Sequence, residues 1–123
     1  MIGNREHFMA TITRPTGFST VHHLEGYDAR YTFRLDLKLF EGPNAPSRLE
    51  IVTHDAYGRS HGGVAVSYDL AGMRRSFAAI ASPVIGVAYR FDDRLIDTIP
   101  PGERRHIDPR NMRLEPVERT MLH

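Results

Sequence analysis

Histidine is the residue type in this chain with the widest chemical use, because its ring serves as metal ligand, general base and proton carrier. The notable positions are the pair His22-His23, the dipeptide His54-Asp55 and His61. Imidazole nitrogens together with a carboxylate form a ligand set suited to zinc, iron or manganese. We therefore take His54, Asp55, His61 and His22 as candidate ligands of a divalent metal. The alternative, which the sequence favours, is that these histidines lie in loops and on the surface and that no cofactor is bound.

The chain contains serine residues that could act as catalytic nucleophiles, but the sequence gives this role little support. Ser60-His61 and Ser67 with Asp69 contain the atoms needed to activate a hydroxyl through a general base. Neighbours in sequence are not neighbours in geometry, however, and the strand-turn-helix motif Gly-x-Ser-x-Gly is absent. The sequence leaves enzymatic activity open and favours a non-catalytic protein.

The polar segment 55–63 predicts a long hairpin loop that ends in Gly62-Gly63. A predicted strand follows it rather than a helix, so neither a P-loop nor a dinucleotide-binding turn is supported. Long loops on rigid strands often carry function. The candidate binding residues are taken from this loop and from the predicted helix that follows: Tyr57, Arg59, His61, Arg74 and Arg75.

Residues 30–40 have the clearest pattern in the chain. Apolar side chains occupy every second position, and polar ones stand between them. This alternation predicts a half-buried strand, because successive side chains point to opposite faces. The inward set is Tyr31, Phe33, Leu35, Leu37 and Leu39. Weaker alternations predict further strands at residues 8–12, 18–25, 48–54, 64–70, 85–91 and 94–99.

One segment changes period. Leu70, Met73, Phe77 and Ile80 are spaced as on one face of a helix, which predicts a helix over 70–81. Asp69 is a suitable N-cap residue, and the Ser-Pro pair at 82–83 would end the helix. The competing interpretation is a buried strand over 77–81.

These elements predict a mainly β protein of the β-rich α+β class. We expect a small antiparallel sandwich or half-open barrel of about six strands with one short helix. Residues 1–102 would form a single globular domain. Residues 103–123 contain two prolines and few apolar side chains, which predicts an extended C-terminal tail, disordered or lying along a neighbour.

Composition limits the function classes. The chain has 123 residues, a net charge of +1 and no cysteine, and Lys38 is its single lysine among many arginines. Balanced charge argues against an obligate nucleic-acid or membrane-surface role. The lack of cysteine excludes disulfides and fits the cytoplasm. The first ten residues lack the apolar stretch of a secretory signal, and no apolar run is long enough to span a membrane.

The function predicted from these features is binding rather than catalysis. We expect a cytoplasmic accessory protein that acts through protein–protein interaction, including a homodimer through a sheet edge or the C-terminal tail. One alternative is a small β-barrel metalloprotein or metal-dependent enzyme that uses the loop histidines. The other is RNA or single-stranded DNA binding by an arginine-rich sheet face.

Overall fold

The computed structural model describes residues 14–28, 33–100 and 105–117. The strand predicted at 8–12 lies outside these residues. The elements are β1 (Thr20–Asp28), β2 (Phe33–Glu41), β3 (Ser47–His54), β4 (Ser60–Ser67), α1 (Leu70–Ala81), β5 (Val84–Phe91), β6 (Arg94–Thr98), β7 (Arg105–Asp108) and β8 (Arg113–Pro116).

The first six strands form one antiparallel sheet in the order β4-β3-β2-β1-β5-β6. Strands β1 to β4 follow one another as a meander, and α1 then carries the chain back across the sheet so that β5 pairs with β1. Among the described residues, β4 and β6 are the two edges of this sheet, which therefore does not close. The predicted mainly β fold with one helix is confirmed.

The core lies between one face of the sheet and α1. Leu35, Leu37 and Leu39 point to this face and are buried, as the alternation predicts. Phe33 is half-buried, and Tyr31 lies outside the described residues. Burying a leucine contributes roughly 1.5–3 kcal/mol, so the middle of β2 supplies much of the free energy that holds the helix on the sheet.

The helix interpretation of residues 70–81 is confirmed, and the alternative strand is wrong. The Asp69 carboxylate caps the first turn by accepting the backbone N–H of Gly72 at 3.0 Å. Phe77 and Met73 are buried against the sheet. At the other end the Ser82 hydroxyl donates to the Ala78 carbonyl at 2.7 Å. These contacts fix both ends of the helix.

The hairpin between β3 and β4 is shorter than predicted. Asp55 closes the turn, because its Oδ1 accepts the backbone N–H groups of Tyr57 and Arg59 at 2.9 Å each. Strand β4 therefore begins at Ser60, and Gly62 and Gly63 lie in the strand opposite β3 rather than in a loop. Glycine has a low propensity for strands, so the sequence did not indicate a strand here, but glycine does not prevent strand pairing.

The segment predicted as an extended tail contains a second, two-stranded antiparallel sheet made of β7 and β8. Ile107 and Met112 of this hairpin are buried in the main core, where β7 packs against α1. The segment therefore forms a hairpin although it has few apolar residues. Its two strands are only four residues long, so a small number of buried apolar side chains is enough to anchor them.

Candidate functional site

The face of the sheet that points away from α1 carries charged side chains, and we call it the polar face. Its middle forms a depression of about 260 Å³ across β1, β2 and β3. The depression is lined by His23, Glu25, Asp36, Lys38, Glu50, Val52 and His54. Charged groups at this density on half-buried strands need mutual pairing, since each loses part of its hydration.

Asp36 lies between two histidines in this depression. Its Oδ2 is 2.9 Å from Nε2 of His54, and its Oδ1 is 3.8 Å from Nε2 of His23. Burial alone would raise the pKa of the Asp36 carboxyl, but the two histidine rings and Arg34 outweigh it and lower that pKa from 3.8 to about 2. Asp36 is therefore a carboxylate throughout the physiological pH range.

The other ring nitrogen of His54, Nδ1, is 2.9 Å from the Ser60 hydroxyl. Because Nε2–H of His54 donates to Asp36, Nδ1 is the acceptor and Ser60 is the donor in the neutral ring. The order hydroxyl, imidazole, carboxylate is the arrangement that activates serine nucleophiles, with the two ring nitrogens exchanged. On the sequence alone, Ser60 is considered together with its neighbour His61. In the structure the register of β3 and β4 places Ser60 opposite His54 instead.

The predicted metal ligands do not form one site. His54 points to the polar face, His61 lies opposite Thr53 and points to the other face, and Asp55 lies in the β3–β4 turn. Asp55 is engaged in the turn, where its Oδ2 accepts from Arg59 Nε at 2.8 Å. His22 is buried beneath α1. Alternation along the strands separates residues that are close in sequence.

His22 belongs to a buried polar network on the helix side of the sheet. Its Nδ1 is 2.6 Å from the Tyr89 hydroxyl, and its Nε2 is 3.2 Å from Oε2 of Glu41. Arg74 of α1 donates to both oxygens of Glu41, at 2.7 and 2.8 Å. Burial raises the pKa of Tyr89, so its hydroxyl stays protonated and donates to His22. The predicted binding residue Arg74 thus has a structural partner.

Glu41 should make the folded state sensitive to acid. Burial would raise its pKa, but Arg74 and His22 lower it from 4.5 to about 2. A carboxyl with a lowered folded-state pKa stabilises the fold above its unfolded pKa and loses that contribution as the pH falls. We expect the free energy of unfolding in urea to drop by about 2–3 kcal/mol between pH 5 and pH 2 on account of Glu41, with a similar contribution from Asp36. A free energy that is flat over this range would contradict both assignments.

The remaining predicted binding residues lie in two separate places. Tyr57 is 83% exposed at the tip of the β3–β4 turn, and the Arg59 guanidinium lies 5.3 Å from the centre of its ring. Arg75 is exposed on α1, at a cavity of about 710 Å³ between the helix and the β7–β8 hairpin. The structure brings Arg74 and Arg75 to this cavity and leaves Tyr57, Arg59 and His61 at the turn and on β4.

Most arginines of the described residues are neutralised by a nearby carboxylate. The pairs are Arg14–Asp92, Arg34–Asp36, Arg48–Glu50, Arg59–Asp55, Arg74–Glu41, Arg90–Glu25, Arg105–Asp97, Arg110–Asp108 and Arg113–Glu115. Three of these arginines, at positions 34, 48 and 90, are on the polar face. Paired charges of this kind lower the positive potential that a phosphate backbone needs.

The two edges of the main sheet differ in character. Strand β4 has eight residues and carries no Asp, Glu, Lys or Arg. Val64, Val66 and the adjacent Tyr68 follow one another at alternate positions and are 54%, 56% and 86% exposed. Strand β6 has five residues, contains Arg94 and Asp97, and is distorted where it pairs with β5. Charges, short length and irregular pairing protect an edge from other strands. Strand β6 has all three features, whereas β4 has none of them.

Comparison with protein-family models, with curated proteins and with solved structures finds no significant match to this chain. Within the described residues, no helix is both long and apolar enough to cross a bilayer.

Sequence reasoning missed the residues that the structure brings together on the polar face and beneath the helix. The missed residues are His23, Glu25, Asp36, Glu41 and Tyr89. One sequence feature could have indicated the polar face. The polar residues Arg34, Asp36 and Lys38 alternate with the leucines of β2 and therefore lie together on the other face of the sheet. Strand register, which decides which of these side chains meet, is not visible in the sequence.

Proposed function

We propose that this chain is a non-catalytic binding protein that acts through the edge strand β4, and that the strand it binds there is β4 of a second copy. The observation that carries the proposal is the uncharged, eight-residue edge with its exposed Val64 and Val66. An edge strand offers unpaired backbone N–H and C=O groups to any extended segment, and such edges are usually blunted unless they are used.

Self-pairing fits the sequence of β4. In an antiparallel dimer with its two-fold axis at Ala65, Val64 of each copy lies opposite Val66 of the other on the polar-face side. No charge of β4 opposes a like charge in this register, because β4 contains none of the four charged residue types. The net charge of +1 gives little repulsion between copies. The product is a continuous sheet of twelve strands, six from each copy.

The test is the mass of the protein in solution with and without a charge on the edge. We expect sedimentation equilibrium to give twice the 14.0 kDa of the chain for the wild type. Val64→Lys should raise the dimer dissociation constant at least tenfold, since a lysine blunts strand pairing. Leu95→Lys, at a 57% exposed position of the other edge, is the matched control and should remain dimeric.

A wild type that stays monomeric at high concentration would refute the proposal. So would equal effects of the two lysine variants. A dimer that survives Val64→Lys but is lost when residues after 117 are removed would instead assign assembly to the C-terminal end. The cytoplasm remains the proposed location, on the composition of the chain.

The two other function classes have weaker support. The Ser60–His54–Asp36 arrangement is the one observation that favours catalysis, and Ser60→Ala would abolish any hydrolysis that depends on it. Nucleic-acid binding would require arginines that are free to contact phosphates, and those of the polar face have carboxylate partners. Catalysis and nucleic-acid binding are therefore less well supported than strand pairing at β4.

A further inference from the structure

Two carboxylates face each other at the centre of the polar face. Glu25 of β1 and Asp36 of β2 are directly opposite partners in the antiparallel ladder. Like charges in this relation destabilise a sheet unless a cation lies between or beside them. Arg90 contacts Glu25, and His54 contacts Asp36, so each carboxylate is held from its outer side.

His23 lies two residues before Glu25 on the same face of β1. Its Nε2 is 3.8 Å from Oδ1 of Asp36, too far for a hydrogen bond, and the described residues offer its ring no other hydrogen-bonding partner. Both of its ring nitrogens are shielded from solvent without a partner, and so is Oδ1 of Asp36. Across the described residues four shielded side-chain atoms make no hydrogen bond. Three of them are in this cluster, and the fourth, Nε2 of His22, is 3.2 Å from Oε2 of Glu41. Buried polar atoms in proteins are nearly always satisfied, so these three atoms are available to a ligand.

The spacing of these groups fits a metal ion. One ligand atom from each of His23, Glu25 and Asp36 can be chosen so that all lie within 4.8 Å of one another. Two ligands at about 2.0–2.2 Å from a tetrahedral ion are roughly 3.3–3.6 Å apart. The three side chains would therefore have to move closer by up to about 1 Å to share one ion.

We propose that His23, Glu25 and Asp36 bind one divalent metal ion, zinc or manganese, on the polar face. One imidazole nitrogen with two carboxylate oxygens suits zinc and manganese. The depression of about 260 Å³ around them leaves a coordination position for water or a small ligand. None of the three ligands lies on β4, so binding of the ion does not require strand pairing there.

His54 acts as a positioning residue in this proposal. It holds Oδ2 of Asp36 at 2.9 Å and is itself held by Ser60 at 2.9 Å, which leaves Oδ1 directed toward His23. Partners that orient a ligating carboxylate typically change metal affinity 10–100-fold when removed. The coordinating unit would thus extend from β1 to β4 through Asp36, His54 and Ser60.

The experiment is a titration of chelator-treated, full-length protein with zinc chloride alone, followed by calorimetry and native mass spectrometry, and then repeated with manganese chloride. We expect one zinc or manganese ion per chain and a higher melting temperature in its presence, because an ion that binds only the folded state stabilises it. His23→Ala and Asp36→Asn should each weaken binding at least 100-fold, and His54→Ala should weaken it 10–100-fold.

His61→Ala is the matched control, because His61 is exposed on β4 and lies on the side of the hairpin away from the cluster. It should bind zinc like the wild type. Circular dichroism of each metal-free variant checks its fold, and His23→Gln, which keeps a polar side chain, replaces any alanine variant that fails this check. Equal loss of affinity in His61→Ala and His23→Ala would overturn the proposal, as would the absence of stoichiometric binding of either metal in the folded wild type.

Discussion

Arg74→Met is expected to lower the free energy of unfolding by about 3–5 kcal/mol at neutral pH. Arg74 is the cation that donates two hydrogen bonds to Glu41, whose side chain is only 10% exposed. Methionine keeps the length of the side chain and removes its charge, so the loss reports the carboxylate left without its partner. Chemical unfolding in urea at pH 7 measures the effect.

The pH dependence of this variant separates an electrostatic cause from a packing cause. Without Arg74 the pKa of Glu41 should move up from about 2, because burial is no longer outweighed. The difference between variant and wild type should then shrink as the pH falls and Glu41 becomes protonated in the variant. A difference that is constant from pH 7 to pH 3 would mean that packing alone is responsible.

Two further variants complete this test. The double variant with Glu41→Gln and Arg74→Met should recover much of the stability, because a buried pair can be replaced as a unit at low cost. Arg75→Met is the matched control, since Arg75 is the next residue on α1 and is exposed. It should change the stability by no more than about 0.5 kcal/mol. Similar effects at positions 74 and 75 would contradict the role assigned to Glu41.

Removal of the C-terminal hairpin is the second change with a large expected effect. A chain that ends at Pro100 lacks Ile107 and Met112, which are 2% and 4% exposed in the main core. Each buried side chain contributes roughly 1.5–3 kcal/mol, and domains of this size are stable by only about 5–15 kcal/mol. We expect the truncated chain to show no cooperative thermal transition. Circular dichroism recorded during heating measures this.

A single substitution tests the same point without deleting backbone. Ile107→Ala should destabilise the protein by about 2–5 kcal/mol, as large-to-small changes in a core do. His106→Ala is its control, because His106 precedes it on β7 and is exposed. It should change the stability by about 0.5 kcal/mol at most. If the truncated chain folds cooperatively, the globular domain does not need the C-terminal hairpin, as the sequence predicts for a domain of residues 1–102.

The sequence predicts the elements that are long and regularly patterned. The alternation of β2 and the helical spacing of Met73 and Phe77 are strong signals, because each buries a continuous face against the other. The β7–β8 hairpin gave no such signal, since strands of four residues are too short to show a period. Its apolar anchors, Ile107 and Met112, looked like isolated residues in a polar segment.

The polar-face cluster could not be assembled from the sequence for a different reason. His23, Asp36 and His54 come from three strands and meet only because of the registers β1–β2 and β2–β3. A slip of one residue in either register would turn one of them to the other face. The sequence instead favoured His54-Asp55, but β3 ends at His54 and Asp55 closes the turn that follows.

The return of the chain through α1 has a consequence for the order of folding. β1 has β2 on one side and β5 on the other, and its residue Leu24 pairs with Tyr89, 65 positions later in the chain. A ribosome-bound chain that has emerged only as far as α1 can form the local meander, but β1 is then still an open edge. Long-range pairing of this kind is slow and leaves hydrophobic strands exposed for longer. Until β5 emerges, the nascent chain has two edges available for wrong pairing, one of which the finished protein buries.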